Sequence, residues 1–406
     1  MRNPAEDEYG LKAETGPPVK IMISCGESSG EIHGAALVEA ARAKGCDWSF
    51  LGLGGDRMAA AGVRLLAHIK DTAVMGLTEV AGSLPKILRI RKAMKRALEL
   101  EKPEALVLID APDFNFVLAK EATALGIPVI YYICPQVWAW RAGRLKFLQR
   151  FTRRRALLFD FEKRFYQERG VEADWVGHPI VDELPPAMSQ DEAKRVLGLK
   201  PGRRLLVLMP GSRRKVVERL APLLLAAAGK LLEKDPDLQL MLPRADSIDH
   251  AFLDQFVAQA DWRVRERLKI ETSKSHLALT AADLALLASG TSSVEATFLG
   301  TPQVVVYKVS ALSWFLGKKL VSTPYVTIAN LVAGREVVPE LLQDKANLRD
   351  LVQTAWPILA GGVPRARIIG ELAKVRRELG GPGASGRVVD IIAEELSKAG
   401  RTEERR

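Results

Sequence analysis

Short runs of nearly uninterrupted apolar residues recur along this chain, and a longer stretch with helical spacing follows each one. In the first half they are KIMIS (Lys20–Ser24), SFLGLGG (Ser49–Gly55), ALVLIDAP (Ala105–Pro112) and PVIYYI (Pro128–Ile133). In the second half they are RLLVLMPGS (Arg204–Ser212), LQLMLPRA (Leu238–Ala245), LALLASG (Leu284–Gly290) and QVVVYKV (Gln303–Val309). Strand and helix signals that alternate in this way predict an α/β chain, with parallel sheets joined by crossover helices. Strands apolar on both faces belong to sheets covered on both faces.

The alternation breaks once, at VGHPIVDELPPAMSQDEAKRVLGLKPGRR (Val176–Arg204), where prolines, charges and a short amphipathic helix replace the pattern. At 406 residues the chain exceeds one ordinary domain. We therefore expect two Rossmann-like domains, 19–184 and 185–350, with a hinge near residues 182–200. Residues 1–18 read as a disordered tail, and 351–406 as C-terminal helices ending in the charged RTEERR. Ligands of such sheets bind beyond the carboxyl ends of the strands, where the strand order reverses. Two sheets facing across a cleft would place function in those loops.

Composition narrows the classes. Three cysteines, Cys25, Cys46 and Cys134, form no C-x-x-C pair. That argues for a reducing cytoplasm and against a disulfide framework or structural zinc. The leader MRNPAEDEYGLKAETGPP lacks the apolar core of a signal peptide. No run reaches the ~18 apolar residues of a membrane span. The formal charge of +10 points to an anionic partner: nucleic acid, a phosphorylated substrate or an anionic lipid surface.

The loops after the strands carry the candidates. In GESSGEIHGA (Gly26–Ala35), Gly26 and Gly30 permit a tight turn, Ser29 lies in the turn, and Glu27 suits a hydroxyl ligand or a general base better than a phosphate. The dinucleotide pattern G-x-G-x-x-G is absent, which disfavours a nicotinamide enzyme. LIDAPDFNF (Leu108–Phe116) ends a buried strand with Asp110 and Asp113, either able to accept a proton or to cap the next helix. CPQVWAWRAGR (Cys134–Arg144) sets Trp138 and Trp140 beside Arg141 and Arg144, a combination suited to stacking on a sugar and pairing with phosphate. Gly211, Ser212 and Arg213, at the head of a helix, make a diphosphate cradle without a Walker motif. Ser289, Gly290, Thr291, Ser292 and Ser293 repeat that design, and Glu295 follows where it could take ribose hydroxyls. DPD (Asp235–Asp237) reads as a turn, and the five dispersed histidines give no catalytic metal site. LPKILRIRKAMKRAL (Leu84–Leu98) is a basic amphipathic helix, either an ordinary crossover or a membrane-facing surface, and LSWFLGKKLV (Leu312–Val321) has a similar character.

Taken in order, GESSGEIHGA, GLGGDRMAAAGV, AVMGLTEV, IDAPDFN, PQVWAWR, FEKRFY, GHPIVD, LMPGSRRKVVE, LLASGTSSVEA and TPYVTIANLVAGREVVPELLQ resemble the lipid-A-disaccharide synthase family, from about Val19 to Gln343. Glu31 departs from that pattern, which has Asp there. The resemblance implies a GT-B fold and an inverting, metal-independent glycosyl transfer without a cofactor. The donor would be UDP-2,3-diacylglucosamine and the acceptor 2,3-diacylglucosamine 1-phosphate. It implies Asp113 or Glu27 as the base. Gly211, Ser212, Arg213, Ser289, Gly290, Thr291, Ser292, Glu295 and Asn330 would hold the UDP-sugar. Ser29, Gly30, Met75, Trp138, Trp140 and Arg141 would line the acceptor side. It further implies a cytoplasmic protein resting on the inner membrane, a homodimer as a candidate assembly, and no nucleic-acid partner. Two rivals stay open on the residues alone: another GT-B enzyme such as an epimerase, and a basic binding module without catalysis.

Overall fold

A computed structural model describes residues 18–26, 28–71, 80–138, 143–309 and 323–403. Glu27, Met75, Trp140 and Arg141 lie outside the described residues, as do the leader through residue 17 and the whole of LSWFLGKKLV. The described chain divides into two compact units: residues up to Val137, those up to Pro179 after the 139–142 gap, and 383 onward form the first; Trp138 and 180–382 form the second.

The first unit carries β1 (Val19–Cys25), α1 (Ser28–Ala43), β2 (Trp48–Gly54), α2 (Asp56–Ala60), β3 (Arg64–His68), α3 (Val80–Glu101) and β4 (Ala105–Ile109). It continues with α4 (Pro112–Ala124), β5 (Val129–Tyr132), α5 (Arg144–Phe151), β6 (Arg154–Leu157), α6 (Asp160–Gln167) and β7 (Asp174–Trp175). The sheet is parallel in the order β3-β2-β1-β4-β5-β6-β7, so the order reverses between β1 and β4. β4 is buried along its whole length, as its unbroken apolar run requires. Ile90, Met94 and Leu98 of α3 are buried in the core and Ile87 packs against it, while Lys86, Arg89, Lys92 and Arg96 stay exposed. The amphipathic spacing thus reports a crossover helix with a solvated basic face.

The last helix, Ala384–Glu403, returns to this unit and packs on α1. Val388, Val389, Ile391 and Ile392 join its core. Arg154 at the start of β6 donates to Asp174 (2.8 and 2.9 Å), Glu394 (2.9 Å) and Glu395 (3.1 Å), and Lys44 pairs with Asp390 at 2.5 Å. The stretch expected as one C-terminal piece is therefore shared between the units.

The second unit holds α7 (Ile180–Glu183), α8 (Gln190–Val196), β8 (Leu205–Met209), α9 (Arg214–Lys234), β9 (Gln239–Arg244), α10 (His250–Ala258) and α11 (Trp262–Arg267). Then come β10 (Leu268–Thr272), α12 (Ser275–Ala281), β11 (Leu284–Ala288), α13 (Thr291–Leu299), β12 (Gln303–Tyr307) and β13 (Glu340–Leu342), with three further helices, Ile328–Ala333, Leu348–Ala360 and Val363–Leu379. Its parallel sheet runs β10-β9-β8-β11-β12-β13, reversing between β8 and β11. Buried Lys194 donates to Asp283 (2.8 Å), which also accepts from Arg365 (2.6 Å) and the Leu205 amide (2.8 Å). That network pins α8, the entries to β8 and β11, and the helix Val363–Leu379 to one another. Asp235–Asp237 closes the turn between α9 and β9, with Arg204 and Arg203 on its carboxylates.

Candidate active site

In the first unit Cys25 and Ile109 are register partners, so the loops after β1 and β4 leave side by side at the reversal point. The second loop is bent sharply: Asp110 and Ala111 both adopt left-handed backbone, with φ of 49° and 43°. Such strain persists only where the surroundings enforce it. Here the enforcers are visible. The Tyr131 hydroxyl (2.7 Å) and the buried Asn115 amide (2.8 Å) both donate to the Asp110 carbonyl. Asn115 also donates to the Ile109 carbonyl (3.1 Å) and accepts from the Ser24 hydroxyl (2.7 Å), tying the ends of β1 and β4 together. Gly26 lies so close that a Cβ there would meet the Ala111 Cβ at 2.3 Å. Glycine at 26 and the left-handed turn at 110–111 are one steric solution.

The turn delivers Asp113 to the first turn of α4, where its side chain is 83% exposed. Arg144 at the head of α5 reaches its Oδ1 at 2.5 Å. Arg91 of α3 donates to the Asp113 carbonyl at 2.6 Å. Ser29 and Gly30 lie on α1, with Gly30 buried near Cys25 and Ile109. Glu31, the departure from the family pattern, accepts from the Arg57 amide at 2.6 Å and so satisfies the head of α2. Trp138 is partly buried and groups with the second unit. Burial pushes the Cys25 thiol up to about 12, and its hydrogen bond to the Leu53 carbonyl (3.3 Å) marks it as a packing residue. His178 of GHPIVD is held neutral: burial first, and then the nearby His33, bring it down to about 3.

In the second unit Met209 and Leu287 are register partners, and again two loops leave side by side. Gly211 faces Ala288, where an added Cβ would approach to 3.6 Å, so the Gly211–Arg213 and Ser289–Gly290 loops adjoin. Arg213 is the N-cap of α9, and no side chain caps that helix. Arg213, Arg214 and Lys215 are all exposed at its start, and its first turn has no acid. Arg214 pairs with Asp249 at 3.4 Å, and the cations together with the positive end of a 21-residue helix favour an anion at this head. Gly290, with φ 148°, begins α13, again without a side-chain cap. Ser293 is buried and turns its hydroxyl back to the Gly290 carbonyl (2.7 Å). Thr291 is exposed and Ser292 partly so.

Glu295, on α13, lies 3.4 Å from His276 of α12, and this carboxylate raises the imidazole above its ordinary range. Asn330 is fully buried: its amide donates to the Val338 carbonyl (2.9 Å) and Glu340 (2.7 Å) and accepts from the Val337 (2.7 Å) and Val338 (2.9 Å) amides. The side chain expected to hold UDP is thus spent on shaping the 335–340 loop, and its helix packs against α13. Sequence reasoning missed Arg91, His276 and Glu340, whose partners are distant in the chain. Asn115 stood within the quoted IDAPDFN without a role.

The comparisons with known proteins agree with one another. A family profile described as lipid-A-disaccharide synthetase matches residues 21–370. The lipid-A-disaccharide synthase of Syntrophus aciditrophicus (strain SB) is 41% identical over 379 residues, covering 93% of this chain and 98% of its own. Among solved structures, UDP-GlcNAc 2-epimerase from Neisseria meningitidis bound to UDP-GlcNAc superposes with a TM-score of 0.63 at 11% identity, covering 93% of this chain and 100% of its own. MurG of Acinetobacter baumannii gives 0.58 at 16% identity, with 93% and 100% coverage. At those identities the likeness speaks for the fold alone, and the fold is GT-B.

Proposed function

The chain belongs to the lipid-A-disaccharide synthase family, and from that premise we propose which of its groups perform each part of the transfer. It is a UDP-sugar glycosyltransferase that moves the 2,3-diacylglucosaminyl group from UDP-2,3-diacylglucosamine to the 6-hydroxyl of 2,3-diacylglucosamine 1-phosphate. The first unit supplies the base and the second the diphosphate cradle. Asp113 takes the proton as the acceptor 6-oxygen bonds to the donor anomeric carbon, and the resemblance makes Glu27 its partner in that step. The bond from that carbon to the diphosphate breaks, and its electron pair leaves with UDP. One in-line displacement through an oxocarbenium-like state inverts the centre. The departing charge falls on Arg213 and on the uncapped heads of α9 and α13. Glu295 receives ribose hydroxyls, and Asn330 acts by fixing the neighbouring loop.

The observation that carries this reading is the contrast between the two reversal points. One presents an exposed carboxylate on a backbone bent to present it, and the other two helix heads without a side-chain cap, that of α9 carrying three cations and that of α13 hydroxyls and a glycine. Asp113→Asn is the test. Disaccharide formation, followed by mass spectrometry, is expected to fall about a hundredfold or more while UDP affinity by calorimetry stays within about twofold. Loss of UDP affinity, or near-normal turnover, would remove Asp113 from this role.

Among the described residues no helix is long and apolar enough to cross a membrane. The exposed basic face of α3 supports a peripheral seat on the anionic cytoplasmic surface of the inner membrane. Flotation with anionic vesicles that is lost in high salt is the expected result. The homodimer rests on the resemblance alone, and sedimentation tests it.

A further inference from the structure

We propose that Arg144 is a positioning residue that recognises the phosphate of the acceptor and, by moving to it, releases Asp113 to accept the proton. This rests on the assignment of Asp113 as base. The two arginines that hold Asp113 do different things. Arg91 grips its main-chain carbonyl at 2.6 Å, with its guanidinium 5.4 Å over the Phe114 ring, and so fixes where the residue stands. Arg144 grips the carboxylate itself, at 2.5 Å from Oδ1, and so fixes which way the acid faces.

That second grip is at odds with the chemistry. At 2.5 Å from the guanidinium, Oδ1 is turned to Arg144 and not to an incoming sugar hydroxyl, so that oxygen meets the hydroxyl proton only once the contact opens. A base that must deprotonate a sugar hydroxyl works better with Arg144 elsewhere. The geometry supplies an alternative partner and a perch. The Arg144 side chain is only 14% exposed, while that of Asp113 is 83% exposed, so the cation lies underneath and the acid faces solvent. The guanidinium stands 5.5 Å over Phe116, whose ring stacks on Phe147 at 4.1 Å between centroids. Those rings hold the guanidinium plane whichever anion it meets.

A phosphate monoester carries close to two negative charges and three acceptor oxygens, and it suits a guanidinium fork better than a carboxylate does. An ion pair with one partner open to water is readily exchanged. The acceptor brings its phosphate and its reacting hydroxyl on one molecule. Its arrival therefore draws the cation from the base as the hydroxyl comes into place. Until then Oδ1 stays turned to Arg144, and water is not drawn to that oxygen to attack the donor.

The test compares the acceptor with its dephosphorylated form on the wild-type protein, Arg144→Gln and Arg144→Lys, measuring kcat and KM separately. Wild type is expected to lose about a hundredfold in kcat/KM without the phosphate, Arg144→Gln about threefold or less, and Arg144→Lys an intermediate factor. Part of the wild-type loss must fall on kcat, which a purely structural role for Arg144 would not produce. An Arg144→Gln protein that keeps the wild-type ratio, or a wild type indifferent to the phosphate, overturns the proposal. Asp113→Asn separates the two layers: turnover at the wild-type rate removes the base assignment, whereas an unchanged phosphate ratio in Arg144→Gln removes Arg144 alone. Circular dichroism verifies that each variant is folded, and the lysine variant keeps the comparison available if glutamine is not tolerated.

Discussion

At the level of single residues, two histidines, one in each unit, are shifted in opposite directions for stated reasons. His276 gains Glu295 at 3.4 Å, which raises it, while Glu183 adds to the same field. A raised group stabilises the fold fully below its ordinary value, and the gain disappears as pH climbs through the folded value. His276→Asn is therefore expected to lower the melting temperature at about pH 5.5 and to have little effect at about pH 9. Equal losses at both would mean that packing, not the ion pair, holds the residue. His178 shows the reverse case, since burial keeps it neutral and its contribution fades as pH falls from the ordinary histidine range towards about 3. The candidate residues legible in the sequence were those whose role is local to a turn, such as Gly26 and Asp113. Arg144 was legible as a cation near tryptophans, but its partner Asp113 stands 31 positions away, and no spacing rule reports such a pair.

Elements show why some of the fold could be read and some could not. The eight apolar runs became β1, β2, β4, β5, β8, β9, β11 and β12, which occupy the interior of the two sheets. The strands without such a run, β3, β6, β7, β10 and β13, lie at or next to sheet edges, and their sequences RLLAH, RRAL, DW, LKIET and ELL mix charge with apolar residues. An edge needs fewer buried faces and tolerates charge, so the signal weakens where the burial weakens. The helix Ile328–Ala333 makes a prediction at this scale. Asn330→Ala leaves the buried Val337 and Val338 amides without their side-chain acceptor and takes one donor from the Val338 carbonyl and one from Glu340, which keeps Val326 and Thr327, at a cost of about 3 kcal/mol. Urea unfolding measures the loss, and weaker UDP binding is expected with it, because the helix that carries Asn330 packs against α13. Unchanged stability would place the loop's order in other contacts.

For the whole molecule, the shared C-terminal stretch matters most. Four apolar residues of the last helix belong to the first core, and Glu395, whose side chain is 4% exposed, meets Arg153, Arg154 and Lys398. Ending the chain at Pro382 uncovers that core and leaves the 180–382 unit complete. Hydrogen exchange on the shortened protein is expected to rise throughout β1, β4 and α1 and to remain low in β8 and β11. Protection retained in β1 would show that the last helix is dispensable. The same arrangement bears on how the chain is made. A ribosome releases the N-terminal half early, yet that half waits for its closing helix until residues 384–403 emerge. The central stretch, contiguous from 180 to 382, meets no such delay. The unit begun first is thus completed after the central one, and during translation its apolar surface stays open to chaperones.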